Sequence, residues 1–134
     1  MIVADTNLIS YLLIESEHTE PARKVWVRDS EWAMPPLWRS EFLNVLVVAN
    51  RASALSQEQT LLLWHRSRVF LNAIELEPDG EKVLKIAMKN RISAYDAQFV
   101  AVAAELGVPL VTADKRILSQ CSDLAVSIED FAKN

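Results

Sequence analysis

The sequence predicts an α/β fold: a three-layer α/β/α sandwich around a central, mainly parallel sheet of four to five strands. Two observations lead there. Short strand-like runs alternate with longer helix-like segments along the chain, the pattern of successive strand–helix–strand crossovers. Runs such as Ile2-Val3-Ala4 and Leu110-Val111 are apolar on consecutive residues, as in strands covered on both faces by helices. The 134 residues have the length of one domain, 1–134. A domain of that size buries roughly two-thirds of its unfolded surface.

The first strand, Ile2-Val3-Ala4, stops at Asp5-Thr6-Asn7, and a helix resumes through Leu8–Ile14. Thr19-Glu20-Pro21 supplies a cap, an acid and a proline for the first turn of a second helix, through Ala22, Val25, Trp26 and Arg28. Trp32-Ala33-Met34 is a second strand, ended by Pro35-Pro36, and a third helix runs from about Leu37 to Asn50. Ser56-x-x-Gln59 is a capping box opening a helix through Leu61, Leu62, Trp64 and Phe70. Ala73-Ile74-Glu75-Leu76-Glu77 alternates like a strand with one wetter face, as near a sheet edge. Pro78-Asp79 opens a helix to about Lys89, and Ser93-Ala94-Tyr95-Asp96 opens another that ends at Leu106-Gly107. Val108–Thr112 is a buried strand, Asp114 opens a short helix through Ile117 and Leu118, and Leu124-Ala125-Val126 is a last strand before a terminal turn.

Composition narrows the function. A hydrophobic fraction of 51% suits a full core, and two Gly and five Pro leave little room for linkers. No secretory leader is expected, because a strand-like run begins at residue 2 with no basic region before it. No apolar stretch is long enough to span a bilayer. Cys121 is the sole cysteine, so no disulfide can form within the chain and a reducing cytosol is its natural home. His18 and His65 lie far apart and suggest no zinc site. A net charge of −4 argues against a general nucleic-acid coat, whose phosphate contacts come from Lys and Arg. It does not argue against a nuclease, which concentrates acid at a metal.

Four acids fall where such a fold places ligands, at the carboxyl ends of its strands. Asp5 and Asp114 follow strand ends directly, and Glu41 lies early in the helix after the second strand. Asp96 lies in the first turn of the helix feeding the strand 108–112. For residue 93 to begin at that edge, the helix before it has to lie obliquely. Each aspartate also stands where a purely structural use is open: Asp5 or Thr6 as the N-cap of the first helix, Asp114 as an N-cap and Asp96 in a capping box with Ser93. Glu41 sits among Leu37, Trp38, Phe42 and Val45, where an unpartnered carboxylate is costly. Crowded anions repel, and a hard divalent cation such as Mg²⁺ or Mn²⁺ relieves that repulsion best.

Asp-Thr-Asn after the first strand, Ser40-Glu41 in the third helix, Tyr95-Asp96-Ala97 at a helix start and Thr112-x-Asp114 after a strand together resemble the PIN-domain ribonucleases. The size and element order are similar to the VapC toxins of prokaryotic toxin–antitoxin pairs, over essentially the whole chain. The resemblance implies that Asp5, Glu41, Asp96 and Asp114 bind metal, with Thr6, Asn7 and Thr112 in support. Some relatives carry a further polar or acidic residue after the fourth acid, a place filled here by Arg116 or Ser119. It further implies an Mg²⁺- or Mn²⁺-dependent endoribonuclease, in which a metal-activated water attacks the RNA phosphodiester. Asp5 and Asp96 are the direct ligands in this reading. Arg39, Arg91, Lys115 and Arg116 lie near the acids in sequence and are candidates for RNA phosphate contacts. An aspartyl-phosphate phosphatase also starts with an acid after the first strand, but normally has a second acid two residues on, where this chain has Asn7. A catalytically silent PIN-like binding module is the other alternative. Surplus apolar residues at Val45–Ala49, Leu8–Ile14 and Leu61–Trp64 predict a homodimer with a groove left for a second protein. The resemblance makes that protein a VapB-like antitoxin whose C-terminal segment shields the acids.

Overall fold

The computed structural model of the protein describes residues 1–133. In chain order its elements are β1 (Ile2–Ala4), α1 (Thr6–Leu13), α2 (Thr19–Arg28), β2 (Trp32–Met34), α3 (Trp38–Arg51), α4 (Gln57–Leu71) and β3 (Ile74–Glu75). They continue with α5 (Gly80–Asn90), α6 (Ala94–Leu106), β4 (Leu110–Thr112), α7 (Lys115–Gln120), β5 (Ala125–Ser127) and α8 (Ile128–Lys133). The five strands form one sheet in the order β3-β2-β1-β4-β5, and every pairing is parallel. Register is set through the centre by Val3, which lies opposite Ala33 on one side and Leu110 on the other.

Helices cover both faces, which is why the central strands are apolar at consecutive positions. All residues of β1, β2 and β4 are buried. α6 packs across β1, β2 and β4 with α5 against its back, while α1 and α8 lie on β4 and are braced by α2 and α3. The core is built from Trp32, Trp38, Phe42, Phe99 and the aliphatic side chains between them. The three-layer sandwich follows directly from this packing.

Several local features differ from the sequence expectation, among them β4, which starts at Leu110 rather than Val108, and β5, which runs one residue later than expected. The edge strand β3 is two residues rather than five, since it has a partner on one side only and pairs with β2 through Ile74 and Glu75 alone. α1 starts at Thr6, two residues early, because Asp5 caps it by accepting from the Thr6 N–H. The terminal turn is a short helix, α8. Ser127 Oγ accepts from the Asp130 N–H at its start, and Arg28 both donates to the Phe131 carbonyl and lies over the Phe131 ring, tying α8 to α2. The oblique connection is an αα-hairpin: α5 and α6 pack together across a short turn in which Arg91 takes the left-handed conformation, φ 55°. Gly107, φ 66°, ends α6 in the same conformation and turns the chain into β4. Among the described residues no helix is long and apolar enough to cross a membrane.

Candidate active site

The chain builds outward from β1 to β2 and β3, then crosses back through α5 and α6 to β4 and β5. The direction of winding therefore reverses between β1 and β4. At such a switch point the loops leaving the two strands part to opposite faces and open a crevice beyond their carboxyl ends. Asp5 is the first residue after β1, and Thr112 to Asp114 end and follow β4.

A cleft of ≈ 720 Å³ lies at that point, and all four predicted acids line it. Asp5 is buried at its base with its carboxylate bonded on several sides. Oδ1 accepts from the Thr6 N–H (2.8 Å); Oδ2 accepts from the Thr112 hydroxyl (2.6 Å) and from Asn7 Nδ2 (3.3 Å). The Thr112 hydroxyl in turn accepts from the Asp114 N–H at 3.0 Å, and Asn7 Oδ1 accepts from the Ala113 N–H at 3.1 Å. Thr6 Oγ1 donates to Glu41 Oε1 at 2.7 Å. Thr6, Asn7 and Thr112 thus link three of the acids into one hydrogen-bonded frame.

The N-cap uses foreseen for Asp5 and Asp114 are both present, while of the box foreseen for Asp96 only the bond to Ser93 forms, and all three carboxylates still line the cleft. Asp114 caps α7 through Oδ1 alone, accepting from the Arg116 and Ile117 N–H groups. Asp96 occupies the third position of α6, where its own N–H donates to Ser93 Oγ. Capping and convergence coexist because helices of this fold begin at the carboxyl edge, where the ligand crevice also lies.

The electrostatics are those of crowded acids, with Arg116 the one cation that acts on any of the three raised carboxyls. Burial pushes the Asp5 carboxyl up to about 6, against its bonds to Thr112 and Thr6, and the charges of Glu41 and Asp96 raise it further. Glu41 is raised by burial and by Asp96, against its bond from Thr6. Asp96 is raised by burial and by Asp114, and lowered by Ser93 and Arg116. Among the described residues lining the cleft there is no lysine or arginine. Arg39 turns to the outer strand, where it pairs with Glu75 at 2.7 Å, and Arg91 lies exposed in the α5–α6 turn. Lys115, Arg116 and Ser119 are exposed on α7, with Arg116 close enough to act on Asp96.

Hard oxygen donors that repel one another fit a divalent cation in chemistry. Among the described residues, however, no three Asp, Glu, His or Cys side chains stand close enough to enclose one. The cleft is also lined by residues that the sequence reading gave no part in the site: Ser10, Tyr11, Leu37, Ser40, Asn44 and Val45. Helical periodicity could have found several of them, since Leu37 just before α3 and Glu41 and Val45 on it recur at four-residue spacing, as do Ser40 and Asn44 on α3 and Asn7 and Tyr11 on α1. Tyr95, quoted above only as part of a motif, completes the wall.

The fold and its acidic crevice define a class, and the chain belongs to the PIN domain family, whose model matches residues 2–122. Among characterised relatives it is similar to Ribonuclease VapC3 of Pyrobaculum aerophilum. The two are 27% identical over 120 residues, which span 87% of this chain and 91% of that protein. The fold is shared with PAE2754, also from Pyrobaculum aerophilum, whose crystal structure superposes with a TM-score of 0.78 at 19% identity, covering 98% of this chain and 92% of that one.

Proposed function

We propose that the protein is a metal-dependent endoribonuclease of the VapC kind. The observation that carries this reading is the meeting of four carboxylates from separate elements in one crevice at the switch point. Kinship with a protein named as a ribonuclease supports RNA as substrate. Asp5 and Asp96 would hold one or two Mg²⁺ or Mn²⁺ ions directly, with Glu41 and Asp114 completing the shell directly or through water. Such an ion, when bound, lowers the pKa of a coordinated water and offsets charge on the phosphate. The chain's own residues fix the donors. Thr112 and Asn7 hold Asp5 Oδ2, Thr6 aims Glu41, and Asp114 keeps Oδ2 free of its capping bonds.

The same reading includes restraint by a VapB-like antitoxin. An apolar groove between α1, α2 and α4, lined by Leu12, Leu13, Trp26, Val27, Leu63 and Phe70, supports a docking segment of that kind. Leu43, Val47 and Val48 on α3 and Leu61 and Leu62 on α4 are exposed, which supports a homodimer. α1 contributes less than its composition promised, because Leu8 and Ile9 are wholly buried. The lone, buried Cys121 accords with a reducing cytosol.

The direct test is to incubate pure protein with total RNA, with and without Mg²⁺ or Mn²⁺, and to map new ends. Wild type should create reproducible ends only with metal, and Asp96→Asn should create none. RNA left intact by wild type under every metal condition, or cut equally by Asp96→Asn, would overturn the reading.

A further inference from the structure

RNA is a polyanion, and proteins ordinarily gain affinity for it by neutralising phosphates with Lys and Arg. This cleft is lined by acids, with no basic residue among its described lining, in a chain of net charge −4. What it offers instead is ring surface. Tyr95 borders it immediately beside Asp96 with 64% of its surface exposed, and no ring contact covers it among the described residues. A tyrosine this exposed contributes little to the core, so packing does not account for it. Tyr11 borders the cleft from α1 and is stacked on His18, ring centroids 4.4 Å apart and planes 28° from parallel.

Resting on the nuclease reading above, we propose that Tyr95 and the Tyr11–His18 pair are base-stacking platforms for the unpaired nucleotides that flank the bond to be cut. Stacking needs only the face of a ring, which every base presents, and it draws on no cationic side chain. It therefore supplies affinity where phosphate pairing is weakest. A base must be unstacked from its neighbours to reach Tyr95, so the cleft selects single-stranded RNA. A duplex would bring chiefly backbone and a shallow groove edge, with no free base face for the rings.

The test uses short oligoribonucleotides carrying 2-aminopurine at successive positions, bound to Asp96→Asn protein in Mg²⁺ so that they stay intact. Fluorescence should fall on binding for one or two positions. Adding Tyr95→Ala should weaken binding roughly tenfold and remove that quench, whereas Tyr95→Phe should keep both. The dependence of affinity on salt should be unchanged in each, because no phosphate contact has been removed. Unaltered affinity and quench in Tyr95→Ala overturn the proposal, as does a defect shared by Tyr95→Phe or equal binding of duplex RNA. The two readings fail separately. If wild type cuts RNA and Tyr95→Ala keeps its KM, only the stacking proposal falls. If wild type cuts no RNA and the Asp96→Asn protein binds none, the nuclease reading falls and takes the stacking with it.

Discussion

At the scale of single residues, Asp5 performs two tasks that pull in opposite directions. As the cap of α1 it has to accept hydrogen bonds, and as a buried anion facing Glu41 and Asp96 it resists ionisation. Its carboxyl at about 6 in the folded chain stands above the ordinary 3.8. The folded state thus holds its proton to higher pH than the unfolded state does. Stability from this group is full below about pH 4 and is lost as pH rises through 6, a change of about 3 kcal/mol over two pH units. Asparagine caps a helix as well as aspartate and cannot ionise. In urea unfolding with EDTA, the stability of Asp5→Asn relative to wild type should therefore rise by up to that amount between pH 4 and pH 7; a gap independent of pH would refute the assignment. Thr112 is the counterpart. Its hydroxyl donates to Asp5 and accepts from Asp114, so Thr112→Val takes the shorter of two bonds from Asp5 Oδ2, leaving the one from Asn7, and strands the Asp114 N–H. A loss of about 2 kcal/mol at pH 7 is expected, largely restored by Thr112→Ser. A neutral Thr112→Val would mean that the frame around Asp5 is not held by that hydroxyl.

At the scale of elements, helix boundaries decide where the acids lie. Gly107 ends α6 with φ 66°, and a Cβ there would meet nothing within 4 Å, so Gly107→Ala tests backbone conformation alone. Thermal unfolding should report a loss of about 1 kcal/mol; no loss would show that another residue sets this turn. The exposed side of α3 makes a different prediction. Val48, 55% exposed, lies in a run that is apolar all round the helix, though the core claims only Trp38, Phe42 and Leu46 in full. If that side is a dimer surface, sedimentation should show a wild-type dimer, and Val48→Glu should give a folded monomer with an unchanged circular dichroism spectrum. A wild type that is already monomeric at high concentration would dispose of the interface. The capping signals were plain in sequence, and Ser56 with Gln59 closes its box as spaced. The length of β3 was not, because an edge strand ends where its one neighbour stops pairing, and nothing in Ala73–Glu77 records that.

For the whole molecule, the sheet order explains why four acids so distant in sequence share a cleft. Consecutive apolar residues made the buried parallel strands legible, and the position of each acid after a strand or at a helix start made the convergence legible. What the sequence could not show was the direction of side chains that serve two neighbours. Arg39 lies two residues before Glu41, yet it faces Glu75 across the outer strand, while Tyr11 and Tyr95 reach the cleft from helices that meet only in three dimensions. If Asp5, Glu41, Asp96 and Asp114 share bound metal, their mutual repulsion burdens the metal-free fold. The most direct test is the melting temperature of wild type and Asp96→Asn across a titration of Mg²⁺ and of Mn²⁺. Without metal the variant should melt higher, since a repelling charge is gone. With metal, wild type should rise saturably, as for any ligand selective for the native state, and Asp96→Asn should rise much less. Equal stabilisation of the two proteins, or a variant that melts lower in EDTA, would contradict the account.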